Sequence, residues 1–312
     1  MMLEEPHILT PYGTTVRRYA DILNDRLFKR ILGAERNKEA LIEILRLLIP
    51  ERDITDIYYD RKKRKLNPFA EGHDAVFDVE CIDADGARFV VEMQQWHQDH
   101  FYDRALFYST FPIQEQVPGV KRVQKIPHDR QYDYQPVYVV SLMAFHFHNE
   151  GDKLLYRYEL RETKSGERMT DRLTFIFLEM DKVEDEPEPN ADVLTKLCWA
   201  FMNMSTLRER PAALLERVFK LVFEACELES YETDERTEIL DIMTTERDKR
   251  NIAYTYWAEG KEAGLVQGRE EGREEGRMAI AKRMAEKGYP VAEIATIAGL
   301  TETEAALILG GR

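Results

Sequence analysis

The chain has 312 residues, of which 44% are hydrophobic and 33% are charged, and its formal net charge is −14. That length allows one large domain or two to three small ones, and the acidic balance disfavours a generally basic protein that coats nucleic acid, although it leaves local basic patches open. No segment approaches the roughly 18 apolar residues of a membrane-spanning helix, and the first residues lack the regions of a signal peptide. The three cysteines, Cys81, Cys198 and Cys226, have no zinc-site spacing, and their odd number is typical of a reduced compartment. We therefore expect a cytoplasmic protein with no membrane association.

The first half of the chain predicts alternating helices and strands. Apolar residues at helical spacing predict helices over 21–33, 38–50 and 100–111. Shorter apolar runs predict strands over 53–59, 136–147 and 172–180, and a hairpin of two strands over 77–97. Helices that alternate with strands indicate an α/β fold, in which a sheet carries helices on its faces.

The second half predicts helices alone. It follows an acidic, proline-containing loop at 182–192, and it ends in a short helix pair with a turn at Gly299-Leu300. Before that pair, glycine recurs at every fourth position: Gly260, Gly264, Gly268, Gly272 and Gly276. We therefore divide the chain into an α/β core at 1–185, a helical region at 186–257 and a tail at 258–312.

The sequence of the tail predicts a role in self-association or in docking to a partner. Each glycine costs about 1 kcal/mol relative to alanine inside a helix, so five on one stripe favour close packing of two helices, as in a homodimer. The alternative is a flexible charged linker. The last helix pair has helix-turn-helix spacing, but TETEAALIL presents none of the Arg, Lys, Asn or Gln side chains that read bases. This favours a protein-interaction or capping module.

The hairpin FDVECIDADGARFVVEMQ (77–94) brings two carboxylates together. A three-residue loop at 84–86 needs a left-handed residue at its last position, which Gly86 supplies. In that register Asp78 lies opposite Glu92, and Gln94 lies on the same face. The apolar residues that alternate with them point into the core: Phe77, Val79, Phe89, Val91 and Met93. A two-residue loop would instead place Asp78 and Glu92 on opposite faces.

Opposed carboxylates raise each other's pKa unless a cation lies between them. A fully wet sheet face tolerates such a pair, because water and salt screen the charges. A hard divalent cation also suits the pair, since Mg²⁺ takes oxygen ligands and typically uses one or two protein carboxylates with substrate phosphate. The spacing therefore leaves two interpretations, a solvated face and a metal site.

These motifs resemble the PD-(D/E)XK nuclease family transposases, also called recombination-promoting nucleases. The aspartate–hairpin–EMQ element at 78–94 is similar to the nuclease core, with Gln94 at the position of the motif lysine. NDRLFKRILG (24–33) resembles the opening helix of the family, and YDRALFYS (102–109) resembles its arginine- and tyrosine-bearing helix. The resemblance runs through most of the chain. It implies a restriction-endonuclease-like core, a mixed sheet flanked by helices, with an α-helical C-terminal appendage.

The resemblance also implies a metal-dependent DNA endonuclease. Asp78 and Glu92, with the backbone carbonyl of Val91 or a third carboxylate, would hold Mg²⁺ or Mn²⁺, which would polarise the scissile phosphate and activate water. Gln94 would orient water, but it offers neither charge nor a basic nitrogen. Four residues are implied as additional members of the site: Asp25 or Glu39 as a further carboxylate, and Lys29 or Arg104 as a source of positive charge.

One basic cluster stands out in this acidic chain: Arg61, Lys62, Lys63, Arg64 and Lys65. We expect it in a loop before the hairpin, where it either binds DNA phosphates, which would make binding depend on salt, or is simply solvated. His97 and His100 have helical spacing without a third metal ligand, which favours surface histidines over a metal site.

No nucleophile-elbow, P-loop, Rossmann or HExxH motif occurs in the sequence. The expected function is a nuclease that acts on DNA in recombination or transposition. The alternative is a catalytically weak or inactive module that binds DNA or protein and acts in an assembly through its helical tail.

Overall fold

The secondary structure comes from a computed structural model that describes residues 7–10, 13–60, 64–65, 74–75, 77–117, 134–149 and 151–310. The strands are β1 His7–Thr10, β2 Gly13–Val16, β3 Ile57–Tyr59, β4 Arg64–Lys65, β5 Asp74–Ala75, β6 Val79–Asp83, β7 Arg88–Gln94, β8 Val137–Met143, β9 Leu155–Glu159 and β10 Leu173–Glu179. The α-helices are α1 Asp25–Leu32, α2 Lys38–Leu48, α3 Phe101–Gln116, α4 Val193–Asn203, α5 Arg217–Cys226, α6 Thr233–Glu286, α7 Val291–Ala298 and α8 Glu302–Gly310.

Six strands form a mixed central sheet in the order β3-β6-β7-β8-β10-β9. The three inner strands β7, β8 and β10 are parallel to each other, whereas β3, β6 and β9 run antiparallel to their neighbours. Every residue of β8 is buried, because helices cover both faces of the sheet and leave no position for a polar side chain in contact with water. The carboxyl ends of the parallel strands meet at one edge, which is where open α/β sheets bind ligands.

The main hydrophobic core lies between one face of the sheet and four helices. It includes Phe89 from the sheet, Phe28 from α1, Leu41 from α2, Phe201 from α4 and Phe219 from α5. The α/β core predicted from the sequence ended at residue 185, whereas α4 and α5 pack into this same core. The chain divides into two compact units, Met1–Thr245 and Glu246–Arg312.

Helix α3 covers the second face of the sheet. Its Phe101 and Ala105 pack against Val139 and Met143 of β8 and against Phe177 of β10. Because side chains alternate along a strand, Glu92 and Gln94 of β7 point to this face. The mixed sheet with helices on both faces confirms the predicted restriction-endonuclease-like α/β fold.

The ends of α1 show how local chemistry sets a helix boundary. The helix predicted over 21–33 begins only at Asp25, because the Asn24 side chain accepts a hydrogen bond from the Leu27 amide at 2.9 Å and caps the first turn. A Cβ at Gly33 would lie 2.3 Å from the backbone oxygen of Lys29. Glycine is therefore required for a close approach at this position, although its φ of −82° is ordinary.

Five of the described strands have no counterpart in the sequence predictions: β1, β2, β4, β5 and β9. The basic cluster was expected in a loop, but Arg64 and Lys65 form β4, which pairs with Asp74 and Ala75 of β5; Arg61, Lys62 and Lys63 lie outside the described residues. The edge strand β9 was not predicted at all. Its tyrosines at alternate positions, Tyr156 and Tyr158, were the available signal.

The second unit contains the carboxyl end of α6 with α7 and α8. Its small core includes Ala281, Ile294, Ala298 and Ala305, and Gly299 ends α7 in the left-handed conformation at a φ of 65°. The glycine repeat is helical within α6. At each of its four members with described surroundings, an added Cβ would meet no atom within 4 Å: Gly264, Gly268, Gly272 and Gly276.

Among the described helices, none combines the length and the apolar character needed to cross a membrane.

Candidate metal-binding active site

The hairpin of β6 and β7 has the predicted register. Gly86 adopts a φ of 87°, and the turn is closed by hydrogen bonds from the Gly86 amide to the Asp83 carbonyl and from the Asp83 amide to the Ala87 carbonyl, both 3.0 Å. Val79 pairs with Val91 in the last pair of the ladder. Asp78 precedes Val79 and Glu92 follows Val91, so the two acids lie beside each other just beyond that pair. The three-residue loop is confirmed, and the two-residue alternative is excluded.

The carboxylates of Asp78 and Glu92 lie in a largely dry environment. Glu92 is 6% exposed and Gln94 is 7% exposed, because α3 covers this face of the sheet. Asp78 is partly buried, and its Oδ2 accepts a hydrogen bond from the Met93 amide across the hairpin at 2.8 Å. A solvated sheet face, the alternative left open by the sequence, is therefore excluded at this pair.

Burial and like charge raise the pKa values of both carboxyl groups. Desolvation raises the pKa of Asp78 to about 7, against the opposing effect of the Met93 hydrogen bond. Desolvation and the neighbouring charge of Asp78 raise the pKa of Glu92 to about 8. Desolvation outweighs the opposing charges of Lys29 and Arg104, and a bound cation would lower both pKa values further.

Gln94 connects Glu92 to the positive charge of Arg104. The amide Nε2 of Gln94 donates to Glu92 Oε2 at 3.0 Å, and Arg104 Nη2 donates to Gln94 Oε1 at 2.5 Å. Arg104 also donates to Gln98, and its guanidinium carbon lies 5.8 Å from the centre of the Tyr108 ring. The side-chain amide of Gln94 is thus fixed in direction, with its nitrogen towards the carboxylate and its oxygen towards the guanidinium.

Helix α1 brings one further cation and one further acid to the pair. Lys29 Nζ donates to the Phe77 carbonyl at 2.7 Å, and its charge lowers the pKa values of Asp78 and Glu92, as that of Arg104 does. The charge of Asp25 raises the pKa of Asp78. Phe77 was expected to point into a core, and it is buried, with its ring centre 5.2 Å from that of Tyr108 of α3.

The structure does not bring Glu39 to these residues. Glu39 begins α2 and forms an exposed ion pair with Arg217 at 2.8 Å. Among the described residues, no hydrogen bond or ion pair joins Glu39 to Asp78 or Glu92. Helix α2 packs on α5, and this packing turns its first residues away from the hairpin.

Strand geometry favours the carbonyl of Met93 over that of Val91 as a ligand. The N–H and C=O of one residue in a strand point to the same neighbour, and the direction alternates along the chain. The Met93 amide reaches Asp78, whereas the Gln94 carbonyl reaches Ala144 on the other side. The Met93 carbonyl therefore points to the β6 side, beyond the last pair of the ladder. The carbonyl of Val91 points the same way but faces Val79 within the ladder.

A second group of carboxylates lies further along the same face. Oxygen atoms of Asp60, Glu80 and Glu115 lie within 4.8 Å of one another. The Nη1 atom of Arg88 lies between them, at 3.6 Å from Asp60, 3.6 Å from Glu80 and 3.1 Å from Glu115. This group was not predicted from the sequence, although Glu80 shares its strand face with Asp78; Asp60 and Glu115 come from distant parts of the chain. The group could hold a metal ion, but here a guanidinium already supplies its positive charge.

The fold is consistent with a nuclease of the restriction-endonuclease-like class. It has a mixed sheet with flanking helices, and the acidic residues lie at the carboxyl end of the inner strand β7. The model of the PD-(D/E)XK nuclease family transposases matches residues 22–255 of the chain, and the chain belongs to this family. Family membership suggests a nuclease role in transposition, with DNA as the substrate. Comparison with curated proteins finds no match, and comparison with solved structures finds none.

Proposed function

We propose that this protein is a metal-dependent DNA endonuclease that hydrolyses phosphodiester bonds in DNA transposition or recombination. The observation that carries the proposal is the pair of the partly buried Asp78 and the buried Glu92, which are neighbours in the register of the hairpin. Both pKa values are raised, to about 7 and about 8. Two desolvated acids close together carry a cost, and a cation-binding role explains that cost.

The residues present fit Mg²⁺ or Mn²⁺. Two carboxylates and the Met93 carbonyl are hard oxygen donors, and such a set leaves positions open for water and for a substrate phosphate. A bound ion would polarise the scissile phosphate and lower the pKa of an attacking water. Asp25 lies close enough to Asp78 to raise its pKa, so it is the carboxylate that we assign to the outer part of the site.

Gln94 and Arg104 together would supply the two functions of the motif lysine, which are orientation of water and positive charge. Gln94 has no charge, but its amide is held between Glu92 and Arg104 and is suited to orient water. Arg104 supplies fixed positive charge that favours the negative charge that develops on phosphate during hydrolysis. Lys29 lies on the opposite side of the pair and adds a second positive charge. The cluster from Arg61 to Lys65 stays a predicted DNA-binding segment.

The first test is cleavage of supercoiled plasmid DNA with Mg²⁺ or Mn²⁺ at low salt. We expect nicking by the wild type that depends on the metal and is lost in Asp78→Asn and in Glu92→Gln. Glu39→Gln is the exposed control, and Glu80→Gln is the matched control on the same strand face. If Glu80→Gln abolishes nicking while Asp78→Asn retains it, the metal belongs to the group around Arg88.

Binding of Mn²⁺, measured by calorimetry without DNA, separates a weak enzyme from an inactive protein. Binding that is lost in Asp78→Asn, without any nicking, would show a metal site whose Gln94 does not support turnover. In that case the binding or assembly module would replace the endonuclease. Absence of both binding and nicking in the wild type would contradict the proposed site itself.

A further inference from the structure

A second polar and aromatic surface lies on the other flank of α3. Tyr102 of α3 and Tyr158 of the edge strand β9 are 43% and 36% exposed, and their ring centres lie 6.1 Å apart. His148 lies next to them, and its Nε2 atom is 3.2 Å from the Tyr158 hydroxyl. We call Tyr102, Tyr158 and His148 the aromatic surface.

Buried rings hold the aromatic surface in place from below. Phe177, which is 3% exposed, lies 5.8 Å from the Tyr102 ring centre and 5.4 Å from that of Tyr158. Phe147 supports Tyr102 at 5.0 Å. Both tyrosines are therefore packed on one side and open to solvent on the other. Because these side chains are already ordered, little conformational entropy is lost when a ligand stacks on them.

A buried acid fixes the histidine. Glu179 is 0% exposed, and its Oε1 lies 2.7 Å from His148 Nδ1 and accepts from the Phe147 amide at 2.9 Å. Lys182 neutralises its other oxygen at 2.7 Å. The imidazole also stacks on Tyr156 with ring centres 3.8 Å apart. The Nε2 edge of His148 consequently points outward, next to Tyr158.

Positive charge accompanies these rings. Lys153 is exposed, and its Nζ lies 4.7 Å from the centre of the Tyr156 ring. Aromatic rings next to a cation, on a surface that solvent reaches, are the combination with which proteins bind single-stranded nucleic acid, because every base stacks and every phosphate is negative.

The aromatic surface and the candidate active site share one face of the sheet. Glu92 is paired with Ser141, Ser141 with Phe177, and Phe177 with Tyr156. Glu92 on β7 and Tyr156 on β9 therefore lie in the same row across the sheet, three strand spacings or roughly 14 Å apart. Arg104 lies on the flank of α3 that faces Gln94, and Tyr102 lies on the flank that faces Tyr158.

We propose that the aromatic surface binds an unpaired nucleotide of the DNA substrate, with the base stacked on Tyr102 and Tyr158 and a phosphate near His148 and Lys153. The inference rests on the proposed endonuclease function and specifies its substrate class. The preferred DNA is a junction of duplex and single strand, such as a fork or a flap, whose unpaired arm reaches past α3 while a phosphate occupies the site at Asp78 and Glu92.

The test measures binding without cleavage. Ca²⁺ replaces Mg²⁺, and fluorescence anisotropy follows three labelled DNAs: a duplex, a single-stranded oligo(dT), and a fork with oligo(dT) arms. We expect the wild type to prefer the fork over the duplex. The double variant Tyr102→Ala, Tyr158→Ala should lose about tenfold in affinity for the fork and for oligo(dT), with little change for the duplex.

Three further variants accompany the double variant. Tyr58→Ala removes an exposed tyrosine from β3, the opposite edge strand of the same sheet, and should leave all three affinities unchanged. Lys153→Gln should lower the slope of log affinity against log salt for oligo(dT) by about 0.7, as expected for one lost phosphate contact. Tyr158→Phe should retain most of the fork affinity, since it keeps the ring.

The outcomes separate this inference from the endonuclease proposal. Fork binding and cleavage are measured separately on the wild type, so a wild type that binds forks through the aromatic surface but never cuts contradicts the endonuclease proposal alone. Equal losses for fork and duplex, no loss at all, or no DNA binding by the wild type would overturn the inference. A change of oligomeric mass in the tyrosine variants with unchanged DNA binding would overturn it as well, and would assign the surface to a second copy of the chain.

Discussion

At the scale of single residues, the proposed site contains two acids whose pKa values are raised by burial. The pKa of Asp78 rises to about 7 and that of Glu92 to about 8, chiefly because both are desolvated. The folded chain therefore holds these protons more tightly than the unfolded chain does. Their contribution to the free energy of unfolding is complete below the unfolded pKa values, near pH 4, and is lost as the pH rises through about 7 to 8.

We predict that the metal-free protein loses stability between about pH 4 and pH 8, and that Asp78→Asn or Glu92→Gln flattens this dependence. Each variant should raise the free energy of unfolding at about pH 9 by about 1–3 kcal/mol, because it removes a buried charge. Urea unfolding at a series of pH values measures the effect. Glu39→Gln, at an exposed ion pair, should keep the wild-type dependence. A flat profile for the wild type would contradict the raised pKa values.

At the scale of elements, the hairpin turn controls the site because register controls which face a side chain occupies. Gly86 combines a φ of 87° with a close neighbour: an added Cβ would lie 3.1 Å from Cγ of Gln135. Gly166 has a similar φ of 71° but no atom within 4 Å of an added Cβ. Both positions carry the cost of a left-handed residue, about 1–2 kcal/mol, but a turn at Gly86 that relaxes would also shift Asp78 relative to Glu92.

We predict that Gly86→Ala and Gly166→Ala both lower the free energy of unfolding, and that Gly86→Ala alone reduces Mn²⁺ binding and nicking. Thermal unfolding and metal titration on the same samples separate the two effects. Equal loss of metal affinity in both variants would show that general destabilisation, rather than register, disturbs the site.

At the scale of the whole molecule, the homodimer predicted from the glycine repeat stays a prediction. Cβ atoms added at Gly264, Gly268, Gly272 and Gly276 would meet nothing within 4 Å, so the described part of this chain does not itself use the stripe for packing. Five glycines in one helix still cost about 1 kcal/mol each relative to alanine. Close packing against a second chain remains the explanation that we favour.

The double variant Gly268→Ala, Gly272→Ala distinguishes a packed stripe from a solvated one. If two helices pack along the stripe, the added methyl groups should dissociate the dimer, which light scattering or sedimentation measures. If the stripe faces water, the mass should stay constant and helix stability should rise by about 2 kcal/mol. Deletion of residues 258–312 provides the reference mass without the tail.

The sequence by itself determined the α/β class, most helices, the five strands β3, β6, β7, β8 and β10, and the pairing of Asp78 with Glu92. The reason is local: Gly86 sets the turn, the turn sets the register, and the register pairs Asp78 with Glu92. Helical and strand periodicity likewise follow from side-chain spacing along a short segment. These features depend on residues that are close together in the chain.

Only the tertiary structure decided how dry the pair is, where its positive charges lie and which nearby groups accompany it. Arg104 reaches Gln94 because α3 folds back over the sheet, and Glu39 is turned to Arg217 because α2 packs on α5. The carboxylates around Arg88 come from three separate segments, and Tyr102 meets Tyr158 across 56 positions of sequence. Burial and long-range contacts are properties of packing, which no local pattern in one sequence specifies.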